Sequence, residues 1–239
     1  MEKILFLDLD GTIIETKSGN KFPKDTNDWK FKSGILSAIY NCYKNLNFDT
    51  LTIITNQAGI DEGYYRPKDV VIKVNEICSN IAKFIFLQEN PLSNEARHNF
   101  EQTFAFNYLI SPSLGNQFRK PKFILKDHIE FEDFDNKRSL MVGDASGILR
   151  ETNKVVHDKI CDILRNSLSE GKNLEFVNAE LFKEVEGILY KIRCNFGSCT
   201  YYELKRDFSD SDKEFAENNK IPYLDVEEFI KKYRDKNKS

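Results

Sequence analysis

The chain has no run of about 18 consecutive apolar residues, so no membrane-spanning helix is expected. An apolar strand pattern begins at the third residue and leaves no room for a signal peptide, so an intracellular protein is expected, nucleus and cytoplasm not being distinguished. Cysteine is sparse and scattered: Cys42, Cys78, Cys161, Cys194 and Cys199 are odd in number, which excludes a complete disulfide framework and fits a reducing compartment. Cys194 and Cys199 lack the further partners a structural zinc site needs. Positive charge is not in excess. The net charge of −3 excludes strong whole-protein attraction to nucleic acid and leaves only a local basic strip open. No Gly-x-x-x-x-Gly-Lys-Ser/Thr loop occurs, so no nucleoside-triphosphate cradle of that type is present. There is no internal repeat and no low-complexity block.

What the chain does have is concentrated near its start. Ile4 to Leu7 is an apolar run that leads straight into Asp8-Leu9-Asp10-Gly11-Thr12. Side chains alternate along a strand, so Asp8 and Asp10 share a face there, and Gly11 permits a sharp turn with close approach to a ligand. Two carboxylates in one small space repel, which calls for a cation or a shared proton. The rest of the chain alternates strand and helix. Strands are predicted at residues 3–8, 51–54, 104–110 and 139–142. Helices are predicted at 33–47, with Ile35, Leu36, Ile39, Tyr40 and Tyr43 on one face, at 67–87, and at 121–130, opened by Pro121. This rhythm implies an α/β fold: a doubly wound, mostly parallel sheet, Rossmann-like, with helices on both faces. At 239 residues, one domain spanning 1–239 is expected, with a core leaning on 19 Phe and 10 Tyr.

Residues 150–205 interrupt the rhythm. Leu181, Phe182, Val185, Ile188, Leu189 and Ile192 recur at helical spacing, as do Val156, Ile160, Ile163 and Leu164, with Glu170-Gly171-Lys172-Asn173 between them. A helical insertion is predicted here. After it, Ser209 as a cap with Asp212 three residues on fits the start of a helix through Asn218. A last helix runs from about Val226.

Parallel strands deliver their carboxyl ends to one edge of the sheet, so these ends are read together. The second strand ends in Thr55-Asn56-Gln57, whose hydroxyl and amide can donate to phosphate oxygens. The fourth ends in Gly143-Asp144, a candidate metal ligand. Lys120 precedes Pro121 at a predicted helix start, where a cation opposes the macrodipole and a bound anion would relieve the conflict. Each signal is weak alone, since turns and surface lysines are common.

Together, Asp8, Asp10, Thr55, Lys120 and Asp144 stand in the motif order of the haloacid-dehalogenase-like phosphohydrolases, which the Asp-x-Asp-Gly-Thr pentad also resembles. Within that superfamily, residues 16–29, Thr55 to Ile60, Arg119-Lys120-Pro121, Val142 to Gly147, Arg206 to Ser209, Asp212, Phe215-Ala216, Ile221-Pro222-Tyr223 and Glu227-Glu228-Phe229 resemble polynucleotide 3′-phosphatases, the family of the phosphatase half of polynucleotide kinase-phosphatase. The resemblance covers residues 1–150 and 205–230; the insertion is longer than that family leads one to expect, and no kinase domain accompanies it.

The resemblance implies that Asp8 is the nucleophile and Asp10 the general acid and base. Thr55, Asn56 and Lys120 are then phosphate-binding. Mg²⁺ would be held by the Asp8 and Asp144 side chains and the Asp10 backbone carbonyl. The implied substrate is DNA with 3′-phosphate ends, or RNA, acted on by a monomer without membrane association. Lys17, Lys21, Lys24, Lys30 and Lys32 form a possible basic strip, and Trp29 or Phe22 could stack on a base, although solvated lysines and a packed tryptophan are the commoner arrangement. Two alternatives share part of this pattern: a phosphatase of small esters such as sugar or histidinol phosphates, and a non-catalytic protein that binds nucleic-acid ends.

Overall fold

The computed structural model describes residues 1–20, 23–89, 106–111, 119–128, 131, 133–147, 149–154, 179–185, 188–195, 198–207 and 209–234. The chain divides into two compact units, Met1–Ser146 with Ser209–Ser239, and Gly147–Phe208. In chain order the first unit contains β1 (Ile4–Leu7), β2 (Ile14–Glu15), β3 (Lys30–Phe31), α1 (Ile35–Leu46), β4 (Thr50–Asn56), α2 (Pro67–Glu89), β5 (Phe106–Ser111) and β6 (Leu140–Gly143). The second unit contributes β7 (Leu149–Lys154), β8 (Ala179–Val185), β9 (Ile188–Asn195) and β10 (Ser198–Arg206), after which the first resumes with α3 (Ser211–Asn218), β11 (Tyr223–Asp225) and α4 (Val226–Tyr233).

Five parallel strands in the order β11-β6-β1-β4-β5 form the main sheet. β1 lies at its centre, paired with β4 from Ile4↔Thr50 to Leu7↔Ile53 and with β6 from Leu5↔Leu140 to Leu7↔Val142. Its four side chains are all buried because both faces are covered. Alternation sends Leu5 and Leu7 into one apolar cluster with Leu51, Ile53 and residues of α1, α2 and α4. Ile4 and Phe6 point into a second cluster with Phe123, Phe131, Phe134, Met141 and, from α3, Phe215. The second cluster is largely aromatic: Phe6 lies edge-on to Phe134 at 5.9 Å, and Phe123 stacks on Phe215 at 6.4 Å. The doubly wound α/β architecture expected from the sequence is therefore present, with helices on both faces.

Three local expectations are corrected. Residues 121–128 do not open a helix. Lys120-Pro121 is a cis peptide, Lys122 and Phe123 N–H groups both donate to the Arg119 carbonyl, and one 3₁₀ turn follows at Leu125–Asp127. This turn drops Phe123 and Leu125 into the aromatic cluster, which a helix continuing from Pro121 would not require. Second, α3 begins with Asp210 rather than Ser209 at its N-cap, and Asp212 is not spent on capping.

Third, the described part of the insertion is not helical. It is a four-stranded antiparallel sheet, β7-β10-β9-β8. Leu181 to Ile192 read as helix because short apolar runs fit either period. β-branched and aromatic residues crowd these strands, as in Ile188-Leu189-Tyr190 and Thr200-Tyr201-Tyr202, and favour the pleated surface that pairing supplies. Val156, Ile160, Ile163, Leu164 and Glu170 to Asn173 lie outside the described residues.

Candidate active site

The strand ends converge as the topology requires. The Asp8 N–H donates to the Val142 carbonyl at 2.9 Å, one step beyond the β1–β6 ladder, so Asp8 leaves the sheet beside the end of β6. The chain then turns through Gly11, whose φ of +91° suits glycine alone among common residues. A Cβ on Gly11 would lie 2.1 Å from Asp144 Oδ2, so the missing side chain is what lets Asp144 approach the first loop. Thr12, fully buried, donates from Oγ1 to Asp144 Oδ1 at 3.4 Å.

Lys120 joins the cluster from the 119–123 turn. Its ammonium, 1% exposed, stands 2.5 Å from Asp8 Oδ1 and 2.5 Å from Asp212 Oδ1. The macrodipole reasoning for Lys120 therefore fails, since no helix begins there, and two buried carboxylates explain the lysine instead. Its backbone is held in turn: Asn56 Nδ2 donates to the Lys120 carbonyl and Lys120 N–H donates to Asn56 Oδ1, each at 3.1 Å. Asn56, expected on phosphate, is thus committed to clamping the segment that carries Lys120.

The helix-start reading of Asp212 leaves out its place in the site. It is 1% exposed, its Oδ2 accepts from Ala145 N–H at 3.1 Å, and its own N–H donates to the Ala145 carbonyl at 3.1 Å. The first turn of α3 is thereby laced to the loop that follows Asp144. Gly143 makes the room, because a Cβ there would meet Asp212 Oδ2 at 2.3 Å. A signal existed: an acidic residue three positions before Phe215, a core residue on the same helix face, is an acid turned inward.

Asp10 faces elsewhere. Its carboxylate accepts from Lys73 Nζ at 3.0 Å on Oδ1 and from Gln57 Nε2 at 2.5 Å on Oδ2. Gln57 Nε2 also lies 2.8 Å from Thr55 Oγ1, placing Thr55 beside the Asp10 anchor. Lys32 Nζ donates to the Gly11 carbonyl at 3.2 Å and pairs with Glu227 at 2.9 Å.

The electrostatics follow from burial. Removal from water pushes the Asp8 carboxyl well above the usual range, and the nearby Asp212 and Asp144 charges push the same way against Lys120. Asp144 is raised to about 6, first by burial and then by Asp212. Burial pulls Lys120 down, but Asp212 and Asp8 outweigh it and hold the ammonium above its ordinary value. Carboxylate oxygens of Asp8, Asp144 and Asp212 all lie within 4.8 Å of one another. A set of hard, anionic oxygen donors with one compensating lysine fits a small divalent cation such as Mg²⁺ better than a soft metal.

The basic strip is only partly available. Lys30 is paired with Glu15 at 3.1 Å, and Lys32 is turned to Gly11 and Glu227. Trp29 packs edge-on to Phe31 at 5.4 Å against the first apolar cluster, with Lys17 Nζ 5.8 Å from its ring centre. Lys21 and Phe22 lie outside the described residues. No helix among the described residues is long and apolar enough to cross a membrane.

The model of the polynucleotide kinase 3 phosphatase family matches residues 3–230. The chain belongs to that family. It is a phosphatase of the haloacid-dehalogenase-like class. It is 25% identical over 230 residues to an uncharacterized 20.8 kDa protein from the FGF-VUBI intergenic region of Autographa californica nuclear polyhedrosis virus, covering 95% of this chain and 85% of that one. It is 29% identical over 184 residues to the D-glycero-beta-D-manno-heptose-1,7-bisphosphate 7-phosphatase of Helicobacter pylori, covering 77% and 95%. Among solved structures, the D,D-heptose 1.7-bisphosphate phosphatase from B. bronchiseptica complexed with magnesium and phosphate is 20% identical with a TM-score of 0.40, covering 60% of this chain and 71% of that one.

Proposed function

We propose that this chain removes 3′-phosphates from DNA ends, and that its place is in end repair. The observation that carries this reading is the family match over residues 3–230, within which the acid-lysine cluster of the site falls. Asp8 is the nucleophile: one carboxylate oxygen attacks phosphorus, the bond from phosphorus to the 3′ oxygen breaks, and the phosphoryl group is left as an acyl phosphate on Asp8. Asp10 gives a proton to the departing oxygen, then takes one from the water that hydrolyses the acyl phosphate. Lys120 and Thr55 offer donors to the non-bridging oxygens as charge develops on them. Asp8, Asp144 and Asp212 would hold Mg²⁺, with the Asp10 backbone carbonyl as a further ligand. When bound, the ion offsets the charge of the phosphate that Asp8 must approach.

A cleft of about 420 Å³ supports a substrate longer than a small ester. It is lined by Lys24, Tyr64, Tyr65 and Arg66, with Asp25 and Asp69 among the rest. Tyr65 is close enough to Asp10 for that carboxylate to push its hydroxyl pKa up, after burial. Tyr64, 73% exposed on this cleft, offers a ring face on which a base of the substrate strand can stack.

The second reading is a phosphatase of small esters, favoured by the 29% identity to the Helicobacter pylori heptose bisphosphate phosphatase. Phosphate release decides between them. A 3′-phosphorylated DNA oligonucleotide is compared with its RNA counterpart and with heptose bisphosphate, each with Mg²⁺ or EDTA, for wild type and Asp8→Asn. Mg²⁺-dependent release from the DNA, absent in Asp8→Asn, is expected. Release from heptose bisphosphate alone would reject the polynucleotide substrate, and undiminished turnover by Asp8→Asn would reject the covalent scheme.

A further inference from the structure

We propose that Lys73 is a positioning residue for Asp10, with Gln57 as the second anchor; this rests on the reading of Asp10 as the proton carrier. Lys73 occupies a core position. On α2 the buried residues are Val70, Lys73, Val74, Ile77, Cys78, Ile81, Ala82 and Ile85, a stripe at helical spacing in which Lys73 is the one charged member. An apolar residue would serve packing better there, because a buried ammonium must find a partner to offset its desolvation. The side chain of Lys73 is 6% exposed, and its partner is Asp10, 3.0 Å away.

Asp10 itself is 43% exposed at its side chain. One face of the carboxylate is thus open to an incoming ester while both oxygens are held from behind. Gln57 holds Oδ2 and is fixed itself: its backbone N–H donates to the Ser111 carbonyl at 2.8 Å, and Nε2 also reaches Thr55 Oγ1. Two donors on separate segments, one from α2 and one from the residue that follows β4, leave an otherwise exposed aspartate one orientation. Without Lys73 the carboxylate can swing about the single contact from Gln57. A misplacement of about 1 Å in a reacting group costs on the order of 10²-fold.

Because Lys73 acts through Asp10, its loss has a signature that general loosening lacks. An aryl oxygen with a low pKa departs without a proton, whereas a sugar oxygen needs one. The ratio kcat/KM covers steps up to formation of the acyl phosphate, so it isolates the first proton transfer. Lys73→Met, close to the lysine stem in volume and without its charge, should lower kcat/KM for the 3′-phosphorylated DNA oligonucleotide ~10–100-fold. For p-nitrophenyl phosphate it should stay within about three-fold of wild type. Added to Asp10→Asn, Lys73→Met should cause no further loss on the oligonucleotide, since the two act as a unit.

Equal losses on both esters, no loss on either, or full additivity with Asp10→Asn would overturn the proposal. If Lys73→Met does not fold, Gln57→Ala tests the same anchor with the same contrast. A crystal structure of the folded variant is independent of substrate: Asp10 turned from its wild-type rotamer is expected, and Asp10 unmoved rejects the proposal. A wild type inactive on the oligonucleotide but active on p-nitrophenyl phosphate would reject the polynucleotide substrate alone, and the crystal structure would still judge Lys73.

Discussion

Asp8 and Asp212 face each other across a single ammonium: Lys120 Nζ is 2.5 Å from an oxygen of each. One residue follows the central strand and the other lies in the first turn of α3, so this contact ties the end of β1 to the side of the sheet that α3 and Phe123 cover. Three acidic residues share this cluster with one lysine, so acidic groups outnumber the positive charge available to them.

Lys120→Met should therefore be destabilising well beyond the loss of one contact. Removing the shared partner leaves two buried carboxylates facing each other, a change that costs roughly 3–5 kcal/mol. For a chain of this size that lowers Tm by about 10 °C. Mg²⁺ should restore more stability to Lys120→Met than to wild type, because it can replace the missing positive charge. Thermal melts of both proteins with Mg²⁺ and with EDTA test this, and equal Mg²⁺ increments would count against a shared metal and lysine site.

The pH dependence has a defined sign. Asp144 has a folded pKa raised to about 6, above the value of about 3.9 it has in an unfolded chain. Between these values the folded protein binds more protons than the unfolded one, so the Asp144 contribution to stability falls as pH rises through that window. Asp8 shifts in the same direction. A divalent cation needs these groups ionised, and competes with the protons. The Tm gain from Mg²⁺ should thus be small at pH 5 and grow up to about pH 7. A gain independent of pH would show that the ion binds away from Asp144.

The sheet and the first-strand site could be read from the sequence because each rests on local chemistry. The apolar run into Asp8 and Asp10 gives strand, turn and acidic pair within nine residues, Ile4 to Thr12, and parallel topology then gathers Thr55 and Asp144 at the same edge. Asp212 and Lys73 could not be placed that way. Helical spacing puts Asp212 on the face of Phe215 and Lys73 on the face of Val70, Val74 and Ile77, but the partners that hold them, Lys120 and Asp10, come from distant parts of the chain. The insertion failed differently: its apolar positions fit both periods, and pairing between β8, β9 and β10 is a non-local choice. Lys120 is legible from the motif order, whereas the helix start proposed for it does not form; what holds it in place is Asn56, distant in sequence.

Asp212→Asn and Gly143→Ala should converge on one defect. Asparagine keeps an oxygen for the Ala145 N–H but loses the charge. Alanine at 143 would press on Asp212 Oδ2 from 2.3 Å and displace it, with no positive-φ penalty. Both variants should need at least ~10-fold more Mg²⁺ for half-maximal phosphate release. Mg²⁺ titrations that match wild type would remove Asp212 from the metal site.

Tyr64 separates the two substrate readings most directly. It stands 73% exposed on the cleft that Lys24, Tyr65 and Arg66 also line, and among the described residues no strand or helix buries its ring. Arg66 is already paired with Asp69 at 2.7 and 3.0 Å, so electrostatic attraction from that side is partly neutralised and stacking has the larger part to play. Base stacking on an aromatic side chain contributes ~1–3 kcal/mol, which corresponds to roughly a 5- to 150-fold change in affinity. Tyr64→Ala should raise KM for a 3′-phosphorylated DNA oligonucleotide by an amount in that range and leave kcat nearly unchanged, because the ring touches no reacting atom. For a small ester such as p-nitrophenyl phosphate neither constant should move. Tm should stay within about 1 °C of wild type, as for a substitution on an exposed surface. If KM for the oligonucleotide does not respond, the nucleotide chain runs elsewhere and the cleft has no part in recognising it.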